Sequence, residues 1–233
     1  MKKLLLLLLL IPLISFTEDW AGEKEVTVLQ DRNGIKYEVN SDVGFTGKYV
    51  GYFGNGQKRF EEHLKLGKRN GLKTDWHKNG QKESEGNWKN YKQEGLLTAW
   101  YENGQKRTEI NYKNGKKEEL QTRWYENGQK RSEGNWKNDK QEGLLTAWYE
   151  NGQKRTEINY KNGKKEELQT RWHENGQKRS EVNWVDGKVD GVVTFWDKEG
   201  DVTQTDTYKD GKLVSSKDRL FENLLDKITP ITD

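Results

Sequence analysis

The chain is predicted to be all-β: an elongated single-layer antiparallel meander of 24-residue β-hairpin repeats, ended by a short C-terminal capping helix. Three observations predict it. The tetrapeptide Asn-Gly-Gln-Lys recurs at residues 55–58, 79–82, 103–106, 127–130, 151–154 and 175–178, each start 24 residues after the last. A tryptophan stands three residues before the Asn-Gly step at Trp76, Trp100, Trp124, Trp148, Trp172 and Trp196, the last before the degenerate copy Glu199-Gly200. A second turn signal, Lys113-Asn114-Gly115-Lys116 and its equivalents, falls between these copies, so turns come about every 12 residues and leave segments of about eight to ten, which suits strands. A fixed period of this length is the signature of stacked units, each burying its apolar surface against its neighbours.

Composition bounds the class. Hydrophobic residues are 30% and charged residues 34%, with a mean hydropathy of −1.20. Such values alone favour disorder. Ten Trp and ten Tyr at fixed phase argue for folding, because aromatics bury large areas and a quasi-one-dimensional array needs no single large core. Lys+Arg 41 against Asp+Glu 38 gives a net charge of +3. That balance is not the footprint of a nucleic-acid binder. The chain has no cysteine, so disulfides play no part.

Taken in order, residues 1–17 read as a signal peptide, with a basic start at Lys2 and Lys3 and an apolar run from Leu4 to Ile14 that is too short to span a bilayer of roughly 30 Å. An uncleaved anchor is the other reading. Export to the periplasm, the cell surface or the medium is therefore expected. Residues 18–50 read as an N-terminal β cap, in which the segments at Val26 and Ile35 flank the hairpin signal Asn33-Gly34. Residues 51–212 form the array. In residues 213–233, Ser216 is placed to cap a helix from about Lys217 to Lys227, with Leu220, Phe221, Leu224, Leu225 and Ile228 on one stripe and Pro230 ending it.

Parity constrains the loop at Asn103-Gly104. A strict two-residue turn sets Thr98 opposite Glu109, whereas an odd loop sets Trp100 opposite Thr108 and Thr98 opposite Ile110. Register follows the hydrophobic pattern. The expectation is an odd-length loop with Gly104 at positive φ, and one shared apolar face holding both Leu96-Thr98-Trp100 and Thr108-Ile110-Tyr112. A longer beat of 48 residues relates 84–131 to 132–179, where Gly86 and Gly134 accompany Trp88 and Trp136 while Ile110 and Ile158 accompany Tyr112 and Tyr160. Small beside large keeps the packed volume even.

These motifs (Tyr/Trp-Tyr-Glu-Asn-Gly-Gln-Lys, then Glu-Gly-Asn-Trp/Tyr-Lys-Asn-Gly-Lys, then Gly-Leu) resemble the bacterial variant of the MORN repeat, in proteins often labelled YwqK-type antitoxin components. The resemblance covers about Gly44 to Lys212. It implies hairpin repeats in an elongated single-layer sheet that binds proteins or membranes without catalysis. Departures are Glu119 and Glu167 where Gly95 and Gly143 stand, and Asp206 at an apolar phase.

Little points to chemistry. His77 and His173 occupy the phase of Tyr101, Tyr125 and Tyr149, and His63 stands alone, so neither a metal site nor a catalytic site is expected. Glu118-Glu119 and Glu166-Glu167 are strand neighbours pointing to opposite faces. No enzyme and no cofactor are expected. The candidate binding face comprises Trp76, Trp100, Trp124, Trp148, Trp172 and Trp196 with Tyr112, Trp136, Tyr160 and Trp184. A candidate basic ladder comprises Lys106, Arg107, Lys130, Arg131, Lys154, Arg155, Lys178 and Arg179. A one-layer sheet has no second layer to cover its apolar side. The expected role is an exported non-enzymatic scaffold binding a protein partner or a second copy of itself, antitoxin- or immunity-like by resemblance. The rival is an envelope module gripping glycan or anionic lipid through its Trp/Tyr and Lys/Arg ladders.

Overall fold

The computed structural model describes residues 23–218. Short strands β1 (Glu25–Val26), β2 (Gln30–Arg32) and β3 (Ile35–Tyr37) precede β4 (Gly47–Tyr52). The array continues through β5 (Lys58–Lys65), β6 (Lys68–Trp76), β7 (Lys82–Lys89), β8 (Lys92–Trp100), β9 (Lys106–Lys113), β10 (Lys116–Trp124) and β11 (Lys130–Lys137). It ends with β12 (Lys140–Trp148), β13 (Lys154–Lys161), β14 (Lys164–Trp172), β15 (Lys178–Val185), β16 (Lys188–Trp196), β17 (Val202–Lys209) and β18 (Lys212–Asp218). Among the described residues, β1 and β4 to β18 form one open 16-stranded sheet in which each array strand pairs antiparallel with its sequence neighbours. Only β1 lies parallel, against β4.

Two kinds of turn alternate. At one end Asn114-Gly115 joins β9 to β10 as a two-residue hairpin with φ of +53° and +80°, the mirror-image turn that matches strand twist. At the other, residues 101–105 form a five-residue loop closed by Tyr101 N–H to Gln105 O and Gly104 N–H to Tyr101 O, both 2.9 Å. Gly104 has φ +83°, as expected, and the loop length is odd.

The expected register is corrected. Thr98 pairs with Glu109 and Ala99 with Thr108, after which Trp100 pairs with Lys106, leaving Arg107 as the extra residue of a β-bulge. The bulge absorbs the parity that the loop was expected to set. Partners in register share a face, so Leu97, Ala99, Thr108, Ile110 and Tyr112 lie on one side. Leu96, Thr98, Trp100, Glu109 and Asn111 lie on the other. The shared apolar face does not form.

The first side, here the core face, carries a central row in the cycle Gly86, Leu97, Ile110, Gln121, Gly134, Leu145. Ile110, Ile158, Ala99, Ala147 and Val193 are buried there. At Gly134 a Cβ would stand 2.8 Å from Leu145 Cδ1, so the large neighbour filling this space is the leucine across the strand pair. Asp206 continues this row, buried, and is satisfied by Ser216 Oγ at 2.6 Å and Gln204 Nε2 at 2.9 Å.

At the N-terminal end Asn33-Gly34 turns β2 into β3, so the partner of β3 is Gln30–Arg32 rather than the Val26 segment, which joins the main sheet. Buried Phe45 and the hydrogen bond from Lys36 N–H to Gly67 O (3.0 Å) dock this hairpin on the array. At the C-terminal end Ser216 and Lys217, expected to open a helix, sit in β18 and extend the sheet. The remainder of that helix, like the signal peptide, lies outside the described residues.

Candidate binding faces

Tryptophans of the two series fall on opposite sides, because one series follows Thr98 and its equivalents and the other follows Gly134 and its equivalents at i+2. Trp76, Trp100, Trp124, Trp148, Trp172 and Trp196, all half-buried, lie on the outer face. Each carries the lysine of the preceding repeat over its ring; Lys106 Nζ is 5.9 Å from the Trp124 centroid and Lys178 Nζ 5.7 Å from that of Trp196. The same lysines bind a glutamate three residues on, as in Lys130–Glu133 and Lys154–Glu157 at 2.6 Å. These rings and ammonium groups therefore make an internal Trp–Lys–Glu ladder.

On the core face Tyr112, Trp136, Tyr160 and Trp184 are also half-buried. Lys117 lies 4.6 Å from the Trp136 centroid and Lys165 4.2 Å from that of Trp184, while Trp184 Nε1–H donates to Gln169 Oε1 at 3.1 Å. Burial raises the hydroxyls of Tyr112 and Tyr160 above the usual tyrosine value. Burial, and then the charge of Arg171, lowers the Lys165 ammonium.

The basic ladder divides in the same way. Lys106, Lys130, Lys154 and Lys178 are paired with carboxylates. Arg107, Arg131, Arg155 and Arg179 occupy the bulges and are exposed. Arg155 and Arg179 line a cleft of about 380 Å³ with Arg171, Thr156, Gln169 and Tyr149.

Asparagine has a role beyond the turn. Asn103 Oδ1 accepts from Gln105 N–H at 3.0 Å, while its Nδ2–H donates to Glu126 O of the next loop at 2.9 Å. The tyrosine two residues earlier does likewise, Tyr101 O–H donating to Trp124 O at 2.8 Å. His77 and His173 take this position with Nε2 3.1 Å from Trp100 O and 3.0 Å from Trp196 O, so they substitute for tyrosine as links between repeats. Glu118 and Glu166 accept from the backbone N–H of Asn138 (3.1 Å) and Asp186 (3.2 Å), satisfying the neighbouring turn. Among the described residues no cluster of three or more His, Cys, Asp or Glu is placed to hold a metal ion.

One feature escaped the sequence reading. Leu72, Leu96, Leu120, Leu144, Leu168 and Val192 stand on the outer face at the 24-residue period, 37% to 56% exposed. They form one apolar stripe, with Asn87, Asn111, Asn135, Asn159 and Asn183 opposite the leucines in register. The recurrence of an apolar residue directly after Gly95, Glu119 and Gly143 was its signal, but only the bulges assign these side chains to the exposed side.

Residues 69–90, 93–114, 120–138, 141–162 and 168–186 match the MORN repeat variant. Five successive units of the array are thus similar to the MORN repeat variant. Each matched segment contains parts of two strands and the Asn-Gly-Gln-Lys loop between them, so one MORN-variant unit is one hairpin. No curated protein matches the chain. MORN-variant repeats are in general non-catalytic binding repeats.

Proposed function

We propose that the protein is an exported, non-enzymatic scaffold that captures a protein partner, in the manner of an immunity or antitoxin component, along the leucine stripe of its outer face. The observation that carries this reading is the stripe itself. Exposed leucine recurs at a fixed interval where alternation would permit a charge, as it does at neighbouring outer-face positions such as Glu109 and Glu133. Repeated apolar contacts rimmed by asparagine and charge suit a protein surface. The outer-face indoles already carry their own lysines, which disfavours them as open platforms for sugars or quaternary amines.

Export rests on the apolar run after Lys2-Lys3. The decisive experiment recovers the protein from its own host with whatever co-purifies, and compares Leu120→Lys/Leu144→Lys with the parent. The proposal expects a partner, or a second copy seen by light scattering, that is lost in the variant, and a mature chain lacking the first residues. Retention on cell-wall material with no protein bound, or a partner held equally by the variant, contradicts it.

A further inference from the structure

A second group of side chains, on the core face and away from the leucine stripe, is basic. Arg155, Arg171 and Arg179 converge on one cleft of about 380 Å³, beside Thr156 and Gln169. Arg171 pairs in register with Thr156, two of the three arginines sit at bulges, and all three are exposed. Among the described residues none of the three forms an ion pair, whereas the lysine preceding each bulged arginine is held by Glu157 or Glu181. Lys165 is disfavoured as a cation first by burial and then by the charge of Arg171, so Arg171 acts there as an uncompensated positive charge.

The same set stands 48 residues earlier as Arg107, Arg123 and Arg131 with Thr108 and Gln121, and Arg123 again pairs with Thr108. Four strands separate the two sets, about 19 Å at roughly 4.8 Å per strand.

We propose that these two arginine triads bind an extended acidic polypeptide segment whose carboxylate clusters lie about six residues apart, the number that spans about 19 Å at ~3.3 Å per residue. Guanidinium forks grip carboxylates in a bidentate manner, and they are directional where an ammonium is a point charge. The overall balance of 41 basic to 38 acidic residues gives little long-range pull towards a membrane surface or a nucleic acid. What survives ion pairing is local charge at two points, the later one a cleft and the earlier one with Arg131 5.7 Å over the Tyr125 ring, which suits a ligand carrying discrete charges at a matching interval.

The test uses the full chain and fluorescence anisotropy of labelled peptides carrying two Asp-Glu clusters six residues apart, the same clusters two residues apart, or one cluster. The six-residue spacing is expected to bind at least about 10-fold more tightly than one cluster, because the second contact is intramolecular. Arg155→Gln/Arg171→Gln/Arg179→Gln should lose that gain, and Lys154→Gln/Lys178→Gln should retain it within about 2-fold. Thermal melts confirm that both variants fold. Equal loss in the lysine variant, indifference to spacing, competition by inorganic phosphate alone, or binding only to vesicles of anionic lipid would each overturn the proposal. Neither result bears on the leucine stripe, whose variants leave the core face intact.

Discussion

At the level of single residues, backbone sign decides what is tolerated. Gly95 and Gly143 have φ +74°, and the same phase in alternate repeats is filled by Glu119 and Glu167 at +58° and +60°. A non-glycine residue in the left-handed region costs roughly 1–2 kcal/mol. Glu167 offsets part of this by accepting from Asn159 Nδ2 at 2.8 Å. Glu119→Gly is therefore expected to raise stability by about 1 kcal/mol in denaturant melts. Gly104→Ala should lower it by at least ~1 kcal/mol, because φ is +83° and the added Cβ would stand 2.5 Å from Gln81 Oε1. Tyr91, at φ +65° in a hairpin that lacks glycine, is held by its hydroxyl, whose single proton is shared between Gly67 O at 2.8 Å and Gly34 O, which ties the N-terminal hairpin to the array.

Between elements, cohesion comes from links repeated every 24 residues. Tyr125→Phe deletes only the bond from its hydroxyl to Trp148 O, 2.8 Å long, and should cost about 1 kcal/mol. The same change at Tyr101 and Tyr149 should cost about as much, and the three should add, since each bond is separate. The Lys–Glu pairs give a pH dependence that can be signed at Glu61. Burial alone would raise its carboxyl, but the Lys58 hydrogen bond and the charges of Lys58 and Lys48 outweigh this and hold it below 4.5. A depressed folded value means stability is present above pH 4.5 and lost as pH falls through the folded value. Glu61→Gln should flatten acid unfolding in that window, read by circular dichroism.

Strand lengths, the positions of both turns, the positive φ of Gly104 and the exchange of histidine for tyrosine were legible in the sequence. The bulge at Arg107 was not, because extending alternation through an unmarked extra residue inverts every face assignment beyond it. That single irregularity moved the tryptophans apart, hid the leucine stripe and separated each lysine from its arginine.

Over the whole molecule the array behaves as a one-dimensional stack in which each strand contacts its neighbours in the sheet. Deleting 132–179 joins Arg131 to Ser180 and preserves the Gly-Leu-Ile-Gln cycle of the core row. This shortened chain should fold, with a urea m-value reduced roughly in proportion to the surface lost. Deleting 108–131 instead removes Ile110 and Gln121 and brings Gly134 directly beside Leu97 and Leu145. The resulting void should cost about 2 kcal/mol or more beyond the loss of length.

The two aromatic series lie on opposite sides of one sheet, and the absence of native cysteine makes cross-strand disulfides a direct measure of this. Paired residues stand about 4.5–5.5 Å apart at Cα, within reach of a disulfide. Under mild oxidation Thr98→Cys/Glu109→Cys should cross-link quantitatively while Thr98→Cys/Ile110→Cys stays reduced; the reverse pattern would return the tryptophans to a single face and contradict both binding surfaces described above.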